Sequence, residues 1–335
     1  MKICAIVATA KGGPEVLKPR DVELAWPGRP DEVLVALKAS SVNPADAFFR
    51  ELGPYVASEA PFVPGHDGAG VVEACGTGVT TVKPGDRVAF CNGGIGAIPG
   101  TYASHAVVPA AQLAPIPDGV DDATAAALPL VAITAFEALI ERAHVKAGDF
   151  VLIHAGAGGT GHLAVQLAAR AGARVAATVS SDEKAQVVRG LGAELAIRYD
   201  QLDFVTACRD WSNGRGLDVA LDNVGPEVMK RTYKAMAPYG RIATLMGTPG
   251  DDGEETAYVG NLTIHNIMML TPMLLGLSER LAHQARIVAA CLKRVAGGDI
   301  APQVSARFAL SEAATAHALM AKGSLTGKIV LVNEE

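Results

Sequence analysis

Aromatic residues are scarce in this chain, at 5% of 335 residues, and so is positive charge, with 29 Lys and Arg against 35 Asp and Glu. A formal net charge of −6 gives no electrostatic reason to seek a nucleic acid or an anionic membrane as partner. The five cysteines (Cys4, Cys75, Cys91, Cys208, Cys291) are scattered, odd in number and without close metal-type spacing, as expected of reduced thiols in a cytoplasmic protein. Long apolar runs are missing too. Residues 123–140 are interrupted by Pro129 and flanked by Asp121, Asp122, Glu137 and Glu141, and residues 267–277 are too short to span a bilayer and contain Pro272. The opening Met1-Lys2-Ile3-Cys4-Ala5-Ile6-Val7 reads as a strand, not as a targeting segment. Half of the residues are hydrophobic, with Ala and Gly abundant, which suits close-packed α/β layers, and the length allows two domains with sizeable cores.

One stretch carries most of the functional information. The apolar run Phe150-Val151-Leu152-Ile153 passes into His154-Ala155-Gly156-Ala157-Gly158-Gly159-Thr160-Gly161, and an amphipathic helix follows at once. Strand, Gly-x-Gly-x-x-Gly turn and helix are the order a dinucleotide site requires. Gly156 permits the tight turn, Gly158 lets backbone approach a pyrophosphate, and Gly161 lets helix and strand pack closely. The free N–H groups and the positive end of the helix then face the phosphates. Short strands at 174–179, 194–197, 217–222 and 241–246 alternate with helices at 182–190 and 227–236, which predicts a doubly wound parallel sheet covered on both faces. His154, at the carboxyl end of the first of these strands, reads as a satisfied structural histidine.

A site for a free ribose 2′-hydroxyl places an acid at the end of the second strand. Here that strand ends Thr178-Val179-Ser180-Ser181, and the first acid is Asp182. Lys184 follows within one helical turn, and Tyr199 ends the third strand beside it. A hydroxyl, a lysine and a phenol together can hold a 2′-phosphate, which favours NADPH over NADH. The plainer alternative makes Asp182 a helix cap and Lys184 a solvated helix residue.

The organisation predicts a discontinuous domain. The first part of the chain is rich in short β-like runs and turns, the dinucleotide-type alternation fills 128–270, and the tail (a helix at 278–296, a strand at 304–308, a helix at 311–320 and a strand at 328–332) returns to complete the first domain. The expected division is 1–127 with 271–335 against 128–270.

Ser41-Val42-Asn43-Pro44-Ala45-Asp46, Pro64-Gly65-His66-Asp67-Gly68-Ala69-Gly70, Val82-Lys83-Pro84-Gly85-Asp86-Arg87-Val88, Asp222-Asn223-Val224-Gly225 and Gly327-Lys328-Ile329-Val330-Leu331, with the glycine turn among them, give the chain its resemblance. Nearly end to end, it resembles the medium-chain dehydrogenase/reductase superfamily in its zinc-free quinone oxidoreductase branch, to which zeta-crystallin belongs. The resemblance implies a GroES-like, mainly-β catalytic domain and a Rossmann domain, with the active site in the cleft between them. It also implies NADPH as hydride donor and a quinone or activated alkene as acceptor. By position, Gly156, Gly158, Thr160 and Gly161 would cradle the pyrophosphate, and Ser180, Lys184 and Tyr199 would hold the 2′-phosphate. Thr134 would lie near the nicotinamide, Asn223 and Lys328 would be further cofactor contacts, and Asn43 and Asp46 would line the catalytic cleft.

Zinc-dependent members of the superfamily carry a Cys at the Asn43 position, a His and a Glu at the His66 and Asp67 positions, and a Cys near Leu130. A catalytic zinc needs three protein ligands and an open position. Only His66 and Asp67 remain here, and the Cys91 region lacks the four close cysteines of a structural zinc lobe, so no zinc is expected. Without a Lewis acid, alcohol oxidation is disfavoured, whereas an electron-poor quinone or enone needs only position, a dry slot and a hydrogen-bond donor at its oxygen. The Asn43 amide and Tyr55 are the candidate donors, with Tyr55 also a candidate source of the proton and Asp46 an orienter. Phe48, Phe49 and Tyr55 are candidates to line a flat slot.

Three readings stand side by side: NADPH-dependent quinone reduction, reduction of the C=C bond of enones, enals or enoyl thioesters on the same fold, and a non-catalytic NADPH-binding protein. A late apolar strand at 261–270, at a sheet edge, predicts a homodimer.

Overall fold

The computed structural model describes residues 1–53, 61–96, 98–250 and 254–333, and the chain divides into two compact units, Met1–Ala132 with Leu270–Glu335, and Ile133–Met269.

In the first unit, Lys2–Ala8 pairs antiparallel with Leu17–Glu23. A seven-stranded sheet runs Val304–Ala309, Lys328–Val332, Glu32–Val42, Asp67–Cys75, Arg87–Cys91, Ala114–Pro115, with His105–Pro109 also on Glu32–Val42. Glu32–Val42 is the hub because its apolar side chains are buried along almost its whole length. Val33, Val35 and Leu37 pack against Val72, Val88, Phe90, Ala106, Val108 and Leu113. The terminal strand pairs antiparallel with this hub, Ile329 opposite Val42, so Lys328 arrives beside Asn43 from the far end of the sequence.

The second unit is a six-stranded parallel sheet in the order Leu195–Arg198, Arg174–Val179, Phe150–Ile153, Leu217–Asp222, Met236–Thr244, Thr263–Asn266. Numbered along the chain this is 3-2-1-4-5-6, the doubly wound order, which reverses between Phe150–Ile153 and Leu217–Asp222. Ligands of such sheets bind at the carboxyl ends of the strands flanking that reversal. Leu152, Ala176, Ile197, Leu217, Ala220, Met229 and Ile242 form its core on one face.

Two elements differ from the sequence expectation. The strand expected at 261–270 is only Thr263–Asn266, and a short helix, Thr271–Leu274, follows it. Ile267, Met269 and Leu270 are apolar because they are buried after the chain leaves the sheet, not because they extend its edge. The strand expected at 241–246 begins earlier, as Met236–Thr244, directly after the helix Pro226–Ala235. Among the described residues no helix is long and apolar enough to cross a membrane.

Candidate active site

The glycine turn lies at the sheet's reversal point. Phe150–Ile153 is buried throughout, and the left-handed residue of the turn after it is Ala155 (φ 50°), not a glycine. The glycines serve close approach. A Cβ on Gly156 would lie 2.6 Å from Ala177 Cβ, and one on Gly161 only 2.1 Å from the Ala155 carbonyl oxygen. The helix Gly159–Arg170 starts immediately, with Gly158 as its N-cap and no acidic residue in its first turn. Gly158, Gly159 and Thr160 remain partly exposed, so the positive end of this helix is open to an anion. These residues fit a pyrophosphate.

Asn223 follows Leu217–Asp222, the other strand at the reversal. Its Nδ2 donates to the His154 carbonyl at 2.8 Å, and its Oδ1 is buried with no hydrogen-bond partner among the described residues. His154 is saturated: its Nε2 is 2.9 Å from Thr232 Oγ1, its Nδ1 is 3.3 Å from Thr178 Oγ1, and its ring stands edge-on to Phe204. Burial, with Arg231 nearby, lowers its pKa to about 3, so it stays neutral. Thr134, on the helix Pro129–Phe136, is buried.

At the end of the second strand, Ser180 and Lys184 are half-buried and Tyr199 is exposed. The cap of the helix Asp182–Gly190 is Ser181, whose Oγ accepts from Lys184 N at 3.2 Å. Asp182 is instead drawn into an ion pair with Arg198.

The second candidate cluster lies wholly in the first unit. Pro44 starts the helix Pro44–Leu52, and Asp46, on its first turn, accepts from Asn43 N at 2.8 Å. Gly65 (φ 101°) turns the chain into Asp67–Cys75, and a Cβ there would lie 2.4 Å from Tyr102 Cδ1. That close passage puts His66 Nδ1 2.5 Å from Asp46 Oδ1, while Tyr102 Oη lies 3.1 Å from Asp46 Oδ2. Tyr102 Oη also lies 2.9 Å from His317 Nε2, and His317 Nδ1 lies 2.9 Å from Arg50 Nη1.

Arginine only donates, and this sets the direction of the whole chain of bonds. Arg50 donates to His317 Nδ1, His317 Nε2–H to Tyr102, the Tyr102 hydroxyl to Asp46, and His66 Nδ1–H to the other Asp46 oxygen. His66 Nε2 is then left buried and without a partner among the described residues. Burial by itself would raise the Asp46 carboxyl, but His66, His317 and the Asn43 amide outweigh it and hold the group below its ordinary value. Burial and the Asp46 carboxylate push the Tyr102 phenol well above its own.

Asn43 joins this chain to a buried ion pair. Asp67 Oδ2 accepts from Asn43 Nδ2 at 2.9 Å and from Ser41 Oγ at 2.8 Å, and Oδ1 accepts from Leu130 N at 2.7 Å. Lys328 Nζ donates to Asn43 Oδ1 and to the Val42 carbonyl, and sits 3.6 Å from Asp67 Oδ2. Burial lowers the Lys328 pKa, and Asp67 and Asp46 oppose the shift.

The donors of a tetrahedral zinc site are therefore committed elsewhere. Lys328 holds the Asn43 oxygen, both Asp67 oxygens are bonded, and only His66 Nε2 is open. Among the described residues no group of three or more His, Cys, Asp or Glu side chains could hold a metal ion. These residues do not fit catalytic zinc.

Sequence reasoning missed Arg50, Tyr102, His317 and Ser41, and it named Lys328 as a cofactor contact without foreseeing that its ammonium also meets Asn43 and Asp67. Tyr55 lies outside the described residues. Phe49 is buried and stacked on His66 at 5.4 Å, and the exposed Phe48 meets it edge-on at 5.8 Å.

The chain matches two family models, one described as an alcohol dehydrogenase GroES-like domain over residues 29–118 and one as a zinc-binding dehydrogenase over residues 191–331. It is 35% identical over 327 residues to a quinone oxidoreductase of Pseudomonas aeruginosa, covering 96% of this chain and 97% of that one. To a 2-haloacrylate reductase of a Burkholderia species it is 34% identical over 337 residues, covering 98% and 99%. A solved mycobacterial protein complexed with NADPH matches with a TM-score of 0.84 at 31% identity, over 98% of this chain and 99% of that one.

Proposed function

Since this chain belongs to the medium-chain dehydrogenase/reductase superfamily and is an oxidoreductase akin to its quinone oxidoreductases, we propose that it reduces a quinone at the expense of NADPH, without a metal. The observation that supports the metal-free reading is the buried Lys328 ammonium on Asn43 and Asp67, which puts a protein cation among the very groups that a metal would need.

The glycine turn and the start of Gly159–Arg170 would hold the pyrophosphate, Ser180, Lys184 and Tyr199 the 2′-phosphate, and Thr134 and Asn223 the nicotinamide end. NADPH, when bound, supplies the hydride. Asn43 holds one Nδ2 hydrogen on Asp67 and offers the other to the acceptor oxygen as negative charge develops there. Lys328 and Asp67 fix the plane of that amide, Asp46 fixes its backbone, and Tyr55 donates to the acceptor or supplies its proton. In this reading 1–127 with 271–335 is the catalytic domain and 128–270 the NADPH-binding domain of a cytoplasmic protein.

The test is NADPH oxidation by the purified protein with 1,4-benzoquinone, 9,10-phenanthrenequinone and a simple enone, with NADH in parallel and a chelator as control. Quinone-dependent turnover with NADPH that the chelator leaves unchanged is the expected result. Turnover with the enone alone transfers the assignment to C=C reduction, the second reading, which the likeness to a 2-haloacrylate reductase favours. Tight NADPH binding without turnover on any acceptor leaves a binding protein.

We also propose a homodimer formed through Thr263–Asn266, the edge of the six-stranded sheet, beside the exposed Tyr258 and Val259. Light scattering behind gel filtration should give the mass of two chains at micromolar concentration, and a one-chain mass refutes the assembly.

A further inference from the structure

The three residues assigned to the 2′-phosphate leave out the strongest cation at that place. Arg198 ends the edge strand Leu195–Arg198 and stands opposite Val179, the last residue of the second strand. Tyr199 N donates to the Val179 carbonyl at 3.3 Å, so the third strand's end is tied to the backbone just before Ser180. The Arg198 guanidinium binds on two edges. Nε and Nη2 fork onto Asp200 Oδ1 and Oδ2 at 2.9 and 2.7 Å, and Nη1 reaches Asp182 Oδ1 at 2.8 Å.

The partners differ in how firmly they are held. The Arg198 side chain is 18% exposed, Asp200 45% and Asp182 78%. The Asp200 fork therefore buttresses the guanidinium, while Asp182 is an exposed partner on a single bond, in an ion pair that solvent weakens.

We propose that Arg198 selects the phosphorylated dinucleotide: it withdraws Asp182 from service as a ribose 2′-hydroxyl acceptor, and it gives its Nη1 edge to the 2′-phosphate when one arrives. This rests on the NADPH reading above and names a residue of that same site. Two acids stand at the turn where a 2′-hydroxyl would be held. Asp182 is paired with Arg198, and Glu183 is bonded to Ser181, which lowers its pKa. A 2′-hydroxyl would therefore have to compete with Arg198 for Asp182 and with Ser181 for Glu183. A phosphate displaces the exposed Asp182 without moving the guanidinium and gains a charge-assisted bond from a donor that never deprotonates. Lys184, one turn into the helix, supplies a second positive charge as a point charge rather than a fork.

The experiment is equilibrium titration of the intact protein, without any acceptor, with NADPH, NADH and adenosine 2′,5′-bisphosphate, read by calorimetry. Wild type, Arg198→Ala, Arg198→Lys, Lys184→Ala and Asp182→Asn are compared, each with a thermal melt. Arg198→Ala should weaken NADPH and the bisphosphate about tenfold or more, as expected for loss of a charge-assisted phosphate contact, and leave NADH within about twofold or bind it more tightly. Arg198→Lys should recover only part, because the buttressing fork is lost. Asp182→Asn should bind NADPH at least as tightly as wild type. A preference for NADPH that survives Arg198→Ala overturns the proposal alone, and so does equal weakening of NADPH and NADH. A wild type that binds NADH as tightly as NADPH overturns the cofactor reading, and the proposal with it.

Discussion

Lys328→Met should destabilise its unit by about 3–5 kcal/mol, because it leaves the Asp67 carboxylate buried without its counter-ion. The side chain is 2% exposed and that of Asp67 is fully buried, so water cannot take over the lost charge. Three neutral donors, from Ser41, Asn43 and Leu130, would remain on Asp67. They soften the loss but supply no opposite charge. In a thermal melt this is a fall of roughly 10 °C. Asp67→Asn should cost less alone than Lys328→Met, and Asp67→Asn combined with Lys328→Met should recover much of the loss, because the double variant buries no unpaired charge. Asn43 would lose the cation on its Oδ1, so acceptor reduction should fall further than stability alone explains. The assignment of Lys328 to the cofactor predicts the opposite pattern: weaker NADPH binding, an unchanged melting temperature and no coupling to Asp67. That pattern would refute the role of Lys328 as counter-ion to Asp67.

The contrast between Lys328 and the glycine turn shows what the sequence made legible. Gly156, Gly158 and Gly161 act within one strand–turn–helix unit, and local spacing carries their meaning. Even there the detail differed, because the left-handed residue is Ala155 and the glycines are needed for closeness to Ala177 and to the turn's own carbonyl. The doubly wound parallel sheet was legible too, since short strands alternating with helices point to that layering, though the order of its strands was not read. The buried cluster was not. Asp46 meets His66 across 20 positions and Tyr102 across 56, while His317 meets Tyr102 across 215 and Lys328 meets Asn43 across 285. Each contact follows from strand register or from a helix docking on the sheet, and neither leaves a trace in local spacing. Arg198 was passed over for a different reason. The residue beside it, Tyr199, matched the resemblance, and a charged residue at a strand end reads as solvated surface until its two carboxylate partners are seen. The strand expected at 261–270 erred the other way, since an apolar run speaks of burial and only indirectly of strand.

Acid should destabilise both units as pH falls from 6.5 toward about 4, beginning well above the ordinary carboxylate range. Burial, with Arg50 beside it, lowers the His317 pKa to about 4 against the pull of Asp46, and burial lowers that of His154 to about 3. An unfolded histidine titrates near 6.5. For these groups the folded value is the lower one, so between the two values the unfolded chain binds the extra proton and stability rises with pH. The stabilisation is complete above the unfolded value and is lost as pH falls toward the folded one. From pH 6.5 to 4.5 each histidine should cost its unit about 2 kcal/mol. His317 cannot escape by accepting the proton in place, because its Nδ1 already receives a bond from the Arg50 guanidinium, and a second cation there would face the first. His154 is likewise closed off by Thr178, Thr232 and Phe204. Asp46 adds nothing in this window, since its lowered pKa confines its loss to more acid conditions. The two histidines belong to different units, so denaturant unfolding followed at a probe in each should register them separately. His317→Gln should flatten the pH dependence of the first unit and leave that of the second, and His154→Asn should do the reverse, whatever either substitution does to stability at pH 7. Equal stability at pH 6.5 and 4.5 in the wild type would mean that both imidazoles titrate normally, and that the direction read from Arg50 through His317 and Tyr102 to Asp46 is wrong.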